Sequence, residues 1–239
     1  MTIKAVLFDR DGTLIDLDKT WAPAFVYILE QLAQGDQTLA TELGREAGFD
    51  YATATFHPDS SIRVNTPEVY SRPWLERLGR VGDTTVLKDI DRWLGEKALA
   101  AVAPFDDTHL VLEHLHEQGL PIGLATNGTE VSAQRQLEAL NVKHLFTFIS
   151  GYDSGFGSKP EPGQLLAFAE HCGLAPHEVA MVGDSLHDLH AAERAGMLRV
   201  GVTTGTMGYD VLAPHSDVVL SGLSGLMEVL GLKPLAKTA

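Results

Sequence analysis

The sequence has a single cysteine and no long apolar run. With only Cys172, the chain cannot form a disulfide within itself, which is typical of a protein in a reducing compartment. The first apolar run is interrupted by Asp9 and Asp11, so it does not have the pattern of a signal peptide. No stretch approaches the roughly 20 apolar residues that cross a bilayer. We therefore expect a cytoplasmic protein with no membrane partner.

Basic residues are also scarce. The 239 residues include 18 lysines and arginines against 32 aspartates and glutamates, which gives a net charge of −14. A nucleic acid needs a basic surface, so no nucleic-acid partner is expected. A small anionic substrate stays compatible with this charge, because one site can be locally positive or can hold a metal ion. The apolar content of 44% is enough for one large folded domain or two smaller ones.

Short apolar runs that end on small or polar residues are present instead, and they are typical of strands buried on both faces of a parallel sheet. The predicted strands are Ala5–Phe8, Pro121–Ala125, Phe146–Ile149, Val179–Val182 and Leu198–Val202. Helical patterns fill the gaps at Asp107–Gln118, Glu130–Leu140, Pro162–Cys172 and Leu186–Ala195, and Gly196 predicts the end of the last helix. This alternation predicts an α/β fold with a doubly wound parallel sheet.

Residues 17–103 interrupt the alternation. Apolar residues there recur near helical spacing, as in Phe25, Ile28 and Leu32, and strand-like runs are absent. The polar stretch from His57 to Glu68 predicts a loop between helices. We therefore predict two domains: an α/β core from residues 1–16 and 104–239, and a helical domain inserted at residues 17–103.

Polar and charged residues that could form a reactive site follow three of the predicted strands, and one more lies in a loop. They are Asp9 and Asp11, Thr126 and Asn127, Asp184 and Asp188, and, in the loop, Lys159. The carboxyl ends of strands in an open parallel sheet share one edge, so the strand-end residues should converge. Clustered carboxylates favour a hard cation, and Mg²⁺ is the usual one beside a phosphate. A carboxylate near such a cation can attack phosphorus, and hydroxyl and amide groups at a helix N-terminus suit the phosphate anion.

These four pieces follow the order of the four motifs of the haloacid dehalogenase superfamily. Asp9-Arg10-Asp11-Gly12-Thr13-Leu14 resembles the first motif, Thr126-Asn127 the second, Lys159-Pro160 the third, and Gly183-Asp184-Ser185-x-x-Asp188 the fourth. The stretch GDSLHDLHAAERAGM, residues 183–197, is especially similar to the phosphoglycolate-phosphatase-like branch. The resemblance implies the α/β core of this superfamily, with a helical cap domain at residues 17–103.

The resemblance also implies catalytic roles. Asp9 would be the nucleophile that forms an aspartyl-phosphate. Asp11 would be the general acid that protonates the leaving oxygen, and then the base that activates water. Lys159 would stabilise Asp9 and the group in transfer. Arg10 occupies the position between the two acids, where many relatives have an apolar residue, and the resemblance assigns it no role.

Two binding sites are implied in the same way. Mg²⁺ would be held by the Asp9 carboxylate, the backbone carbonyl of Asp11, and Asp184, with Asp188 supporting the ion directly or through water. The phosphate would be held by Thr126, the backbone of Asn127, and Lys159. The implied activity is Mg²⁺-dependent hydrolysis of a small phosphorylated metabolite.

Several alternatives remain at this stage. A phosphosugar mutase shares Asp9 and Asp11 but returns the phosphoryl group to sugar. A metal-free haloacid dehalogenase lacks an acid at the position of Asp11, and a non-enzymatic phospho-acceptor receiver domain carries its acceptor on a later strand. Asn127 and Ser185 fit either a helix cap or a phosphate contact. The sequence leaves open the identity of the ester and whether the protein is a monomer or a homodimer.

We predict that Asp9→Asn abolishes phosphate release and leaves the fold intact, because an amide cannot replace the carboxylate as nucleophile. Release of inorganic phosphate from a phosphomonoester measures the activity, and circular dichroism checks the fold. Turnover by the variant at the wild-type rate would contradict the assignment of Asp9.

Overall fold

The structure is a computed structural model that describes residues 2–57, 60–63, 65, 67–205 and 207–235. Its strands, in chain order, are β1 (Ala5–Phe8), β2 (Phe49–Asp50), β3 (Thr55–Phe56), β4 (Ile122–Ala125), β5 (Phe148–Ser150), β6 (Val179–Gly183), β7 (Leu198–Val202) and β8 (Val218–Leu220). Two sheets result, one with six strands and one with two.

The helices lie between and beside these strands. They are α1 (Leu17–Ala33), α2 (Gln37–Glu46), α3 (Pro67–Tyr70), α4 (Arg72–Arg77), α5 (Thr84–Ala100), α6 (Thr108–Glu117), α7 (Glu130–Ala139), α8 (Gly163–Cys172), α9 (Leu186–Ala195), α10 (Tyr209–Leu212) and α11 (Leu226–Val229). Within the described part of the chain, none of them has the length and apolar character needed to cross a membrane.

The main sheet is parallel throughout and has the strand order β5-β4-β1-β6-β7-β8. All four residues of β1 are buried, as the apolar sequence of an interior strand requires. The chain builds outward from β1 in both directions, first through β4 and β5 and then through β6 to β8. The predicted α/β fold with a doubly wound parallel sheet is therefore confirmed, and the carboxyl end of β1 lies where such sheets bind ligands.

The observed strand ends agree with the predicted ones to within one residue, except in β5. β1 and β7 match residue for residue, whereas the strand predicted at Phe146–Ile149 runs instead from Phe148 to Ser150, because Lys143–Leu145 form a 3₁₀ turn before it. The edge strand β8 is not predicted, since three half-buried residues are too short to show a period. Gly196 ends α9 in the left-handed conformation, as predicted.

The chain divides into two compact units, Met1–Asp16 with Pro104–Ala239, and Leu17–Ala103. The prediction that the inserted segment has no strands is wrong in one place, because β2 and β3 pair antiparallel as Phe49 with Phe56 and Asp50 with Thr55. Strands of two residues give no alternation that a sequence could reveal. Within the predicted loop His57–Glu68, Ser61–Arg63 form a 3₁₀ turn and α3 begins, while residues 58, 59, 64 and 66 lie outside the described residues.

Aromatic rings form the core of the inserted segment. The ring centroid of Phe25 on α1 lies 5.2 Å from that of Phe56 and 5.9 Å from that of Trp74, both in edge-on arrangements. The ring centroids of Phe49 and Phe56 lie 4.7 Å apart, with the two rings tilted. Edge-to-face contacts of this kind suit the charge distribution of aromatic rings. The hairpin therefore serves to bring two phenylalanines against the apolar face of α1.

Trp74 also closes a helix end. Its ring is fully buried, and its indole N–H donates to the carbonyl of Leu43 at 2.8 Å. Leu43 lies in the last turn of α2, where carbonyls have no partner within the helix.

We predict that Trp74→Phe lowers the free energy of unfolding by about 1–3 kcal/mol, because it leaves the buried Leu43 carbonyl without its donor. Urea unfolding monitored by circular dichroism measures the change. Trp93→Phe is the matched control, since Trp93 is only partly buried, and it should cost less. Equal losses for the two variants would argue against the role of the indole hydrogen bond.

Candidate active site

A tight turn follows β1 and carries the first two acids. The Asp9 N–H still donates to the carbonyl of Val182 on β6 at 2.9 Å, and the N–H groups of Leu14 and Ile15 then donate to the Arg10 carbonyl at 2.9 and 3.1 Å. Gly12 in this turn has a φ of 79°. Glycine adopts this conformation without strain, so the chain can leave the sheet immediately after Asp9.

Three aspartates converge at this edge of the sheet. Carboxylate oxygens of Asp9, Asp184 and Asp188 lie within 4.8 Å of one another, and the three residues are 8%, 2% and 1% exposed. Asp9 follows β1, Asp184 follows β6, and Asp188 lies in the first turn of α9. The predicted convergence of these residues therefore follows from the adjacency of β1 and β6.

The Lys159 ammonium contacts two of these three carboxylates. Its Nζ donates to Asp9 Oδ1 and to Asp188 Oδ1, both at 2.6 Å, and to the Ala125 carbonyl at 2.8 Å. Burial alone would lower the pKa of Lys159, but the carboxylates of Asp188 and Asp9 outweigh it and raise that pKa above the usual 10.5. The amine therefore stays protonated and supplies a fixed positive charge.

For the pKa of Asp9, burial outweighs the nearby positive charge. Burial raises the pKa of its carboxyl well above the usual 3.8; Lys159 opposes the shift, and the carboxylates of Asp188, Asp184 and Asp11 add to it. A further positive charge near the cluster would favour the ionised form of Asp9, which is the form that can act as a nucleophile.

Asp188 uses both of its oxygens to organise the site. Oδ1 accepts from Lys159, and Oδ2 accepts from the Ser185 hydroxyl at 2.7 Å and the Ser185 backbone N–H at 3.1 Å. Ser185 is the N-cap residue of α9. Ser185 therefore occupies the predicted helix-cap position, and its hydroxyl orients Asp188.

Thr126 and Asn127 follow β4, next to the cluster. Thr126 is buried, and its hydroxyl oxygen accepts the Gly128 N–H at 3.0 Å. The Asn127 side chain pairs with the Lys159 backbone in both directions: Nδ2 donates to the Lys159 carbonyl and Oδ1 accepts the Lys159 N–H, each at 2.9 Å. The helix-cap interpretation of Asn127 is wrong, because Thr129 is the N-cap residue of α7 and accepts from Ser132 N–H.

Asp11 is not part of the carboxylate cluster. Its side chain turns to its neighbour Arg10, whose Nε and Nη2 lie 2.9 and 2.8 Å from Asp11 Oδ2. The carbonyl of Asp11, which the resemblance assigns to the metal, belongs to the turn that Gly12 continues. The structure thus brings Asp9, Asp184, Asp188 and Lys159 together, and it gives Asp11 a separate partner.

Two supporting residues were not predicted. Gln164 Nε2 donates to the Gly157 carbonyl at 2.8 Å and to the Thr126 carbonyl at 3.3 Å, and His187 Nδ1 lies 3.3 Å from the Lys159 carbonyl. Both connect the loop that carries Lys159 to its surroundings. A polar residue in the first turn of a helix gives no signal that distinguishes this role from a solvated surface.

The donor set and its packing fit a hard divalent cation. Three buried carboxylates lie together, two of them in contact with one ammonium, and oxygen ligands of this kind are those that Mg²⁺ prefers. Backbone also closes around Asp184: a Cβ atom at Gly12 would lie 2.4 Å from Asp184 Oδ2, and one at Gly205 would lie 2.2 Å from it. Glycine at both positions lets the chain approach the carboxylate closely.

Comparison with known proteins agrees with this geometry. A protein-family model described as haloacid dehalogenase-like hydrolase matches residues 6–202. The phosphoglycolate phosphatase of Escherichia coli strain K12 is 31% identical over 235 residues, which cover 96% of this chain and 93% of that enzyme. A HAD phosphatase from Thermococcus onnurineus is 26% identical with a TM-score of 0.66, over 98% of this chain and 100% of that one. A structure from Haemophilus somnus, described as a predicted phosphoglycolate phosphatase, has the same fold, with 22% identity and a TM-score of 0.71 over 96% and 98% of the two chains.

We predict that Gly205→Ala weakens Mg²⁺ binding by roughly 10–100-fold, the usual effect of disturbing a ligand through its surroundings. The new Cβ would meet Asp184 and the Gly12 backbone, so the carboxylate must move. Isothermal titration calorimetry measures the affinity. Gly208→Ala is the matched control, because no described atom lies within 4 Å of its Cβ position. Equal affinities of the two variants would rule out the close approach of Gly205 as a constraint on Asp184.

Proposed function

The chain belongs to the haloacid dehalogenase-like hydrolase family, as its four motifs predict, and on this premise we propose that it is a Mg²⁺-dependent phosphatase that acts through an aspartyl-phosphate at Asp9. The observation that carries the proposal is the buried contact of Lys159 with Asp9 at 2.6 Å, inside a cluster of three aspartates. A nucleophilic carboxylate needs positive charge beside it when it approaches an anionic phosphate.

In the first step, a carboxylate oxygen of Asp9 attacks phosphorus. The bond between phosphorus and the ester oxygen breaks, and Asp11, acting as general acid, gives its proton to the departing alkoxide. The products of this step are an alcohol, the phosphorylated Asp9 and an ionised Asp11. Lys159 stays beside Asp9 and stabilises the negative charge of the phosphoryl group in transfer.

In the second step, Asp11 acts as a general base. It takes a proton from a water molecule, the water oxygen attacks phosphorus, and the bond between phosphorus and Asp9 breaks. Inorganic phosphate leaves, and Asp9 is again a free carboxylate. Asp9 and Asp11 therefore have different tasks. Asp9, which follows β1 directly, is the nucleophile, and Asp11, which lies outside the carboxylate cluster, transfers protons.

The residues that would hold the metal are Asp9, Asp184 and the backbone carbonyl of Asp11. When bound there, Mg²⁺ supplies positive charge that lowers the repulsion between Asp9 and the phosphate. Because Asp188 uses both oxygens for Lys159 and Ser185, we assign it to positioning Lys159 and to supporting the metal from outside its ligand set. The Thr126 hydroxyl and the backbone of Asn127, beside the N-terminus of α7, would hold the phosphate.

The substrate we propose is a small phosphomonoester of the phosphoglycolate class. This choice rests on the full-length similarity to the Escherichia coli phosphoglycolate phosphatase. We assign residues 17–103 as the cap domain and propose that they select the alcohol portion of the ester, since the residues described above recognise only phosphate and metal.

We predict that phosphoglycolate is among the best substrates in a panel of phosphorylated metabolites assayed with Mg²⁺. Excess chelator should reduce phosphate release by at least about 100-fold, and added Mg²⁺ should restore it, because the metal charge contributes several kcal/mol to the transition state. Inorganic phosphate release is measured for each ester. Hydrolysis that is insensitive to the chelator would contradict the mechanism. Conversion of a sugar phosphate into its isomer without net phosphate release would identify a mutase instead.

A further inference from the structure

Arg10 is a buried arginine to which the proposed mechanism gives no task. It is 2% exposed and lies between Asp9 and Asp11 in the turn after β1. A fully buried guanidinium is costly unless charged or polar partners surround it. The partners of Arg10 therefore indicate what it is there to hold.

One charged partner of Arg10 is Asp11. Arg10 Nε lies 2.9 Å from Asp11 Oδ2, and Nη2 lies 2.8 Å from the same oxygen. Two N–H donors of the guanidinium group therefore converge on one oxygen of the carboxyl group. One oxygen of the Asp11 carboxyl group is therefore held in place by two charge-assisted hydrogen bonds.

The guanidinium is itself fixed on its other side. Arg10 Nη1 donates to the Ser132 hydroxyl of α7 at 3.3 Å, and a Cβ atom at Gly128 would lie only 2.5 Å from Nη2. The Arg10 carbonyl meanwhile accepts the N–H groups of Leu14 and Ile15. Arg10 is thus held at its backbone by the turn and at its tip by the segment after β4, beside Thr126 and Asn127.

We propose that Arg10 is a positioning residue that holds Asp11 by Oδ2 and so fixes the orientation of its carboxyl group for both proton transfers. This inference rests on the proposed function, in which Asp11 is the general acid and base. A direct role of Arg10 as a cation for the substrate is the competing interpretation. It is less well supported, because the side chain is buried and its fork is already turned toward Asp11.

Leaving groups of different acidity test the inference. An alkoxide needs a proton as it departs, whereas p-nitrophenolate departs without one, so a misplaced general acid affects mainly alkyl esters. For Arg10→Met we expect kcat/KM to fall about 100-fold with the best alkyl ester of the substrate panel, and only a few-fold with p-nitrophenyl phosphate. Arg10→Lys keeps one cationic donor and should recover part of the loss with the alkyl ester.

Two controls accompany this comparison. Arg135→Met removes an exposed arginine from α7 and should leave both rates unchanged. Asp11→Asn defines the full leaving-group effect of losing the acid. If Arg10→Met does not fold, Arg10→Lys and Ser132→Ala provide the same comparison, with smaller losses in the same direction, since Ser132→Ala removes only the outer anchor of the guanidinium.

The possible outcomes separate the two claims. If Asp11→Asn discriminates between the esters and the Arg10 variants lose activity equally with both, the positioning role is overturned while the proposed function stands. A rise in KM for both esters with unchanged kcat would also overturn it, in favour of a substrate cation. If Asp11→Asn itself does not discriminate, the general-acid assignment of the proposed function fails, and the inference fails with it.

Discussion

The contact of the Lys159 ammonium with Asp9 and Asp188 is the interaction on which the rest of the site depends. Carboxylates that are buried this close repel one another, and burial itself disfavours their charged form. One ammonium, 2.6 Å from an oxygen of each of two of them, offsets part of this cost. The surrounding hydrogen bonds keep Lys159 in place: Asn127 pairs with its backbone in both directions, and Asp188 is itself held by Ser185.

The order of the strands explains how residues so far apart in sequence can meet. Lys159 and Asp9 are 150 positions apart, and they meet because β1 lies between β4 and β6. The end of β4 contributes the Ala125 carbonyl to Lys159, and the end of β6 leads directly into Asp184. Bringing these ends together depends on long-range pairing, so the charge cluster can form only when the parallel sheet has assembled. The geometry of the site therefore depends on the stability of the sheet.

The parts of this arrangement that the sequence predicts are those with a local signal. Buried strands have apolar runs, and the strand-end rule then places Asp9 and Asp184 at one edge. Contacts that depend on tertiary structure have no such signal: the Asn127 side chain turns to a loop 32 residues away, Arg10 reaches Ser132 on α7, and the β2–β3 hairpin pairs strands of two residues. Asn127 illustrates the difference, since its sequence context fits a helix cap and the structure gives that position to Thr129.

The described cluster also limits where substrate choice can reside. Asp9, Asp184, Asp188 and Lys159 all belong to the unit formed by residues 1–16 and 104–239, and their chemistry suits a metal ion and a phosphoryl group. Every phosphomonoester carries that group, so these residues cannot distinguish one ester from another. Discrimination acts on differences in transition-state binding, and those differences lie in the alcohol portion. Residues outside the cluster must therefore supply it, which allows the alcohol to change while the buried charges of the proposed transfer site remain the same.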